Sequence, residues 1–115
     1  MSQLVNVFKL LSDETRLRII ILLAQEELCV CQIQGILKVS QPKVSRNLAK
    51  LRDMNLVTEK RKEKYVYYRM KTEDAVLTGI INYISNSMEQ YPQLRLDQLN
   101  IKDKEKYLKL CSISS

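Results

Sequence analysis

The sequence predicts a mainly helical fold that carries one small β-hairpin. Only 2 glycines and 2 prolines occur among the 115 residues, which favours long regular elements. Hydrophobic residues make up 45% of the chain, enough for the core of one compact domain. Helical spacing of apolar residues recurs through most of the chain, whereas a period of two is clear at residues 65–70.

The first two helices are predicted from apolar spacing and from a capping signal between them. Residues 3–11 place apolar side chains at i, i+3, i+4 and i+7, namely Leu4, Val7, Phe8 and Leu11. Ser12 is the predicted N-cap of the second helix, with acidic residues in the first turn. That helix, residues 15–25, is apolar on nearly all sides, so we expect it to be the buried centre of the core.

The rest of the chain is organised around residues 28–51, which hold two helices separated by a short break. The third helix covers residues 30–38 and turns three apolar side chains inward, namely Val30, Ile33 and Leu37. The fourth runs over residues 41–54, with Ser40 as its N-cap and Pro42 in its first turn. Two helices joined in this way predict a helix-turn-helix.

The fourth helix is amphipathic, and its solvent face is basic. One stripe of the helix is apolar and consists of Val44, Leu48 and Leu51. At about 100° per residue, Lys43, Arg46 and Lys50 lie on the opposite side. Arginine, lysine, asparagine and glutamine side chains read base edges, and serine holds phosphate. This helix is therefore the one that we expect to enter DNA.

Residues 56–61 and 65–70 predict a two-stranded hairpin whose tip is residues 60–64. A basic hairpin directly after a helix-turn-helix is a wing, which lies along phosphates or enters the minor groove. Residues 43–71 carry ten basic and three acidic side chains, a net charge of +7, whereas the whole chain has a net charge of +6. This concentration of positive charge in one segment favours a nucleic-acid partner. The candidate DNA-binding residues are Gln41, Lys43, Ser45, Arg46, Asn47, Lys50, Lys60, Arg61, Lys62 and Lys64.

A long fifth helix is predicted over residues 73–90, capped by Thr72 and ended by Pro92. Its apolar stripe consists of Leu77, Ile81, Ile84 and Met88. This helix is longer than a small core needs, so we expect it to pair with a second subunit, helped by the first helix. The sequence thus divides into a DNA-binding and dimerisation domain, residues 1–91, and a C-terminal extension, residues 92–115. The extension contains a short predicted helix at residues 102–110, and its apolar residues indicate packing on the domain.

Three cysteines carry the remaining chemistry. Cys29 and Cys31 are two positions apart, about 200° around an ideal helix, so both cannot bind one soft ion while they lie in regular helix. Ligand binding would have to distort that helix, which is a conformational switch; the alternative is two buried structural cysteines. An odd cysteine count indicates free thiols in a reducing compartment rather than a disulfide framework.

Composition argues against several other classes of protein. The chain contains no histidine, which removes the serine and cysteine catalytic pairs that need one, and its two glycines form no phosphate-binding loop. We therefore do not expect an enzyme. No apolar run reaches membrane-spanning length and no signal peptide is recognisable, so we expect a soluble cytoplasmic protein.

Between residues 4 and 70 the chain resembles the ArsR family of winged-helix repressors, in particular its arsenic- and antimony-responsive branch. The segments that carry the resemblance are FKLLSDETRLRIIILL, ELCVCQI, SQPKVSRNLAKLRDMNLV and KYVYYRM. The resemblance implies a homodimer that binds double-stranded operator DNA, has no organic cofactor and leaves the DNA when As(III) or Sb(III) binds Cys29 and Cys31. The sequence departs from the family pattern at Gln34, where many members have a third cysteine, and at residues 62–64, which lack a turn glycine.

The departure at Gln34 makes Cys111 the candidate third ligand, because As(III) favours three thiolates and Cys111 is the third cysteine of the chain. Three alternatives stay open from the sequence. The same scaffold could sense oxidants or persulfides through Cys31 or Cys111, or it could respond to cadmium or lead. A small metal carrier is a further class, which the basic segment disfavours.

Overall fold

The computed structural model describes residues 2–114 and folds them into seven α-helices and one three-stranded sheet. The helices are α1 (Ser2–Leu11), α2 (Glu14–Gln25), α3 (Val30–Leu37), α4 (Gln41–Asp53), α5 (Ala75–Ser85), α6 (Pro92–Asn100) and α7 (Lys104–Ser114). The strands are β1 (Leu28–Cys29), β2 (Val57–Lys62) and β3 (Tyr65–Met70). The predicted class, mainly helical with a small β-hairpin, is confirmed. Each of these helices is too short or too polar to span a bilayer.

Helix α2 is the centre of the core, as its apolar sequence predicts. The side chains of residues 19–23 are at most 1% exposed. The predicted cap is wrong by one residue, because the carboxylate of Asp13 accepts the backbone N–H of Arg16 at 2.8 Å. The Ser12 hydroxyl instead donates to the carbonyl of Lys9 at 2.8 Å, which satisfies the end of α1.

Helices α3 and α4 form the predicted helix-turn-helix. Helix α3 ends at Lys38, whose left-handed backbone (φ 57°, ψ 46°) turns the chain toward α4. Ser40 has the extended backbone of an N-cap, and Pro42 lies in the first turn of α4. The predicted apolar stripe of α4 is confirmed, since three residues are at most 2% exposed, namely Val44, Leu48 and Leu51.

The sheet contains the predicted wing and one strand that the sequence does not predict. Strands β2 and β3 pair antiparallel from Val57 opposite Met70 to Lys62 opposite Tyr65. Glu63 takes the left-handed backbone (φ 58°) that a turn glycine would otherwise supply. Strand β1 pairs with the other edge of β3, which gives the order β1-β3-β2 and joins the start of α3 to the wing.

The C-terminal third differs most from the prediction. Helix α5 begins after Asp74, whose carboxylate accepts the N–H of Leu77 at 2.9 Å, and it ends at Ser85. The longer predicted helix is wrong because residues 85–87 are serine and asparagine, whose side chains compete for backbone hydrogen bonds. Pro92 does not end a helix but lies in the first turn of α6, where its missing N–H costs nothing.

Residues 92–114 pack on the domain, as their apolar residues predict, but as two helices rather than one. Helix α6 packs against α2, and α7 packs along α3. Asp97 of α6, 4% exposed, accepts two hydrogen bonds from the guanidinium of Arg18 at 2.8 and 2.9 Å. Arg18 also donates to the carbonyl of Leu37 at 3.0 Å, and its pKa is raised mainly by the bond to Asp97. This ion pair joins α2, α6 and the end of α3.

Candidate functional site

The first cysteine lies at a junction between sheet and helix. Cys29 is the last residue of β1 and the N-cap of α3, with extended backbone (φ −93°, ψ 171°) and 2% exposure. Its backbone N–H donates to the side-chain oxygen of Gln32 at 3.1 Å, in the arrangement of a capping box. Helix α3 begins at Val30, as predicted, so Cys29 lies outside it and the two cysteines do not share a regular helix.

The surroundings of Cys29 keep it a neutral thiol. Burial raises its pKa, and the backbone N–H groups of Gln32 and Cys31 offset this only in part. Tyr67 lies opposite it in β3, and burial together with the neighbouring Cys29 raises the pKa of that phenol. Burial therefore disfavours the thiolate of Cys29, which is the form that binds a soft ligand.

Cys31 and Cys111 are brought together from 80 residues apart and form a disulfide. Their Cα atoms are 5.9 Å apart, because α7 lays its C-terminal part over the first turn of α3. The prediction of free thiols is wrong for this pair and holds for Cys29. Within residues 2–114, no three cysteine and carboxylate side chains form a group that could hold a metal ion.

Helix α7 is held on α3 by contacts that the sequence does not reveal. The ring of Tyr107 lies so close to Gly35 that a Cβ at this glycine would be 2.7 Å from the Tyr107 Cβ. Buried Gln32 donates to the carbonyl of Lys104 at 3.4 Å, and the Lys104 ammonium lies 3.5 Å from the carboxylate of Glu26. One part of this arrangement does have a sequence signal, because a glutamine three residues after an N-cap, here Gln32 after Cys29, is the pattern of a capping box.

The candidate DNA-reading face of α4 is partly solvent-exposed and partly tied to the protein. Lys43, Arg46 and Lys50 are exposed. The side-chain amide of Gln41 donates to the hydroxyl of Ser45 at 2.8 Å, so these two neighbours present one polar surface. Asn47 is half-buried, donates to the carbonyl of Lys43 at 2.9 Å and accepts from Arg16 of α2 at 3.4 Å. These bonds give Asn47 a positioning role inside the domain.

The wing carries its basic residues in two different environments. Lys60 and Arg61 are exposed along β2. Lys62 instead turns back to Glu27, with 2.6 Å between ammonium and carboxylate, and its ammonium lies 5.2 Å from the centroid of the Tyr67 ring. Its hydrogen bond lowers the pKa of Glu27. The ammonium of Lys64 lies 5.4 Å from the centroid of the Tyr65 ring.

Helices α1 and α5 expose apolar side chains on their outer surface. The exposed residues are Leu4 (38%), Val5 (42%), Phe8 (56%), Val76 (43%) and Tyr83 (59%). The two helices contact each other, so these exposed side chains lie on neighbouring elements. Of the predicted apolar face of α1, Val7 is buried whereas Leu4 and Phe8 are exposed, and Leu10 is buried as well. A surface of this kind marks a contact with another molecule.

Comparison with known proteins places this arrangement among bacterial regulators. Residues 13–59 match the family described as "Bacterial regulatory protein, arsR family". The chain is 46% identical over 82 residues to the arsenic resistance transcriptional regulator ArsR1 of Pseudomonas putida, covering 66% of this chain and 64% of the relative. It is 33% identical over 81 residues to the transcriptional repressor SdpR of Bacillus subtilis, covering 70% and 88% respectively. The matches span between 57% and 64% of the length of three arsenic-resistance regulators.

Solved structures give the same assignment. The AntR antimony-specific transcriptional repressor superposes with a TM-score of 0.65 at 26% identity, covering 80% of this chain and 82% of that one. A homodimeric winged helix-turn-helix DNA-binding domain from Mycobacterium bovis superposes with a TM-score of 0.61 at 27% identity, covering 80% and 83%.

Proposed function

Because the chain belongs to the arsR family of bacterial regulatory proteins, we propose that it is a metalloid-responsive transcriptional repressor. It binds double-stranded operator DNA in the cytoplasm as a homodimer and releases it when As(III) or Sb(III) binds Cys29, Cys31 and Cys111. The observation that carries this proposal is the position of the cysteines. They lie around the start of α3, directly ahead of the helix that would enter DNA, and β1 connects Cys29 to the wing.

The DNA-binding part rests on charge and exposure. The exposed basic residues of α4 and β2 supply phosphate and base contacts, namely Lys43, Arg46, Lys50, Lys60 and Arg61. Gln41, Ser45 and Lys64 contribute polar contacts beside them, whereas Asn47 and Lys62 position α4 and the wing. The apolar surface of α1 and α5 is the dimer contact, and two-fold symmetry then sets two α4 helices into successive major grooves.

Salt dependence tests the DNA-binding part. Each phosphate that the protein neutralises contributes about −0.9 to the slope of log affinity against log salt concentration. Six to ten contacts per dimer therefore give a slope of roughly −5 to −9. Arg46→Ala abolishes specific binding without unfolding the protein, because Arg46 lies opposite the buried stripe of α4. A slope near zero, or a monomer at all concentrations, would contradict the proposal.

The inducer site fits the donor set of the chain. Once reduced, Cys31 and Cys111 would hold the metalloid between α3 and α7, and Cys29 would be the third thiolate. Cys29 reaches such a site only by leaving its buried position at the end of β1. That movement withdraws β1 from β3, which is the second strand of the wing. Ligand binding thus favours a wing position different from the one that binds DNA.

X-ray absorption on the As(III) complex tests the ligand set. Without added thiol, we expect three sulfur neighbours in the wild type and two in Cys111→Ser. A sulfur count and an affinity that are the same in both proteins would remove Cys111 from the site.

A second candidate function is thiol-based redox sensing on the same scaffold. The observation that favours it is the disulfide between Cys31 and Cys111, which ties α7 to α3 only in the oxidised protein. Anaerobic titration of the operator complex separates the two functions, with As(III), Sb(III), Cd(II) or an oxidant added separately. Release by As(III) or Sb(III) alone supports the metalloid repressor, release by the oxidant supports the redox sensor, and release by Cd(II) alone identifies a cadmium response.

A further inference from the structure

A cavity of about 540 Å³ lies between α3 and α7, beside the Cys31–Cys111 bond. Three residues of α3, namely Cys31, Gln34 and Gly35, line one side together with Lys38 directly after that helix, and Tyr107 and Cys111 of α7 line the other. Its volume is in the range of sites for small organic molecules and far exceeds what one ion occupies. The walls therefore suit a ligand larger than the inducer itself.

The chemistry of the walls selects the ligand class. A disulfide is attacked by a thiolate, so a reactive ligand for one end of the cavity is a thiol. Lys38, the exposed residue directly after α3, lines the same cavity as Cys31, and its ammonium is a partner for a carboxylate. Gln34 also lines the cavity, and its side-chain amide is a hydrogen-bond partner for a peptide group.

We propose that this cavity binds a peptide-like thiol with a terminal carboxylate, which exchanges with the Cys31–Cys111 disulfide while Lys38 holds the carboxylate. The inference rests on the proposed function, because the exchange would free the thiols of Cys31 and Cys111 for the inducer. Cys29 does not line the cavity and is buried, so the exchange is confined to the other two cysteines.

The step balances as thiol–disulfide exchange. The thiolate of the ligand attacks Sγ of Cys111, the bond between Cys111 and Cys31 breaks, and Cys31 departs as a thiolate that takes up a proton. Cys31 is the better leaving group because it lies in the first turn of α3, where backbone N–H groups favour negative charge. A second ligand thiolate then attacks the mixed disulfide, which frees Cys111 and produces the oxidised dimer of the ligand. Two ligand thiols are oxidised and one protein disulfide is reduced.

The test compares glutathione with its glycine ethyl ester, which keeps the thiol and masks that carboxylate. Reduction of the oxidised full-length protein is followed in low salt by release of protein thiols. One exposed ion pair, between Lys38 and the carboxylate, makes the wild type react roughly threefold faster with glutathione than with the ester. Screening by 1 M salt removes this difference. Lys38→Gln removes it as well, whereas Lys102→Gln keeps it, because Lys102 is exposed and outside the cavity. Equal glutathione-to-ester rate ratios in the wild type and Lys38→Gln would overturn the proposal.

A second readout locates the exchange. The Cys31→Ser variant lacks the thiol that would displace glutathione from Cys111, so its mixed disulfide persists. This variant is reduced, treated with oxidised glutathione and digested, and the modified peptides are mapped by mass. We expect glutathione on Cys111 and none on Cys29; modification of Cys29 at a comparable rate would overturn the proposal. A negative result in either exchange experiment does not contradict the proposed repressor function, which has a separate test. For that function we expect phosphine-reduced protein to release operator DNA when As(III) is added. Loss of that release would count against the proposed function instead.

Discussion

The close approach of α7 to α3 predicts that Gly35→Ala loosens the C-terminal helix. The added Cβ would lie 2.7 Å from the Cβ of Tyr107 and closer still to two ring atoms, well inside the usual contact of about 3.5–4.0 Å. Rotation of the ring cannot relieve the contact with the Tyr107 Cβ, so α7 itself must move. Overpacking of this kind costs about 1–3 kcal/mol, and replacing a helical glycine with alanine regains about 1 kcal/mol.

The net cost of up to about 2 kcal/mol falls on the docking of α7, because Tyr107 belongs to that helix. In the reduced protein α7 still packs along α3, and Tyr107 packs on the core. Its polar contacts include a hydrogen bond of 3.4 Å from Gln32 and a partly exposed ion pair of 3.5 Å, and exposed pairs contribute about 0–1 kcal/mol. A change of about 2 kcal/mol shifts the docking equilibrium roughly 30-fold.

Hydrogen exchange of the α7 amides in phosphine-reduced protein measures this equilibrium. We expect exchange in Gly35→Ala to accelerate up to roughly 30-fold, and the protection of α2 to stay unchanged. Gly79→Ala is the matched control, because nothing lies within 4 Å of a Cβ at that helical glycine. Undiminished protection of α7 in Gly35→Ala would refute the reasoning.

Three further predictions concern stability. Asp97→Asn lowers the free energy of unfolding by about 3–5 kcal/mol in urea titrations, since it leaves the largely buried guanidinium of Arg18, 14% exposed, without its countercharge; an effect below 1 kcal/mol would show that the pair is dispensable. Glu63→Gly raises the free energy of unfolding by about 1 kcal/mol in thermal unfolding, because glycine takes φ 58° without strain, and a lower melting temperature would argue against that backbone. The contribution of Lys62 to stability disappears in acid, because its ion pair needs a charged Glu27. The pKa of Glu27 is lowered in the folded protein, so this contribution is fully present above the ordinary glutamate pKa of about 4.3. It is lost as pH falls through the lowered pKa. Urea unfolding of wild type and Lys62→Gln at a series of pH values measures this loss, and a difference that is constant down to pH 2 would contradict it.

Local periodicity was enough to predict the elements that bury one face. Val44, Leu48 and Leu51 follow the helical repeat and are buried, and the alternation at residues 65–70 becomes β3. In both cases the residues that define the element are close in sequence, so neighbouring side chains carry the whole signal.

Features that depend on distant partners could not be predicted in this way. Strand β1 has two residues and exists only because β3 lies beside it, and the extended backbone of Cys29 follows from that pairing. Asp97 meets Arg18 across 79 positions, and Cys111 meets Cys31 across 80. Both contacts depend on α6 and α7 packing on the domain, and Pro92, which the sequence prediction placed at the end of a helix, begins α6 instead.

The central claim is that a metalloid bound by the cysteines around α3 releases operator DNA. Operator affinity measured by fluorescence anisotropy on reduced protein, with and without saturating As(III), tests it most directly. A coupling free energy of about 1–3 kcal/mol predicts a 5- to 150-fold weaker operator complex for the wild type. We expect Cys31→Ser to bind the operator as the wild type does and to lose this response. A response of the same size in Cys31→Ser, or no response in the wild type, would contradict the claim.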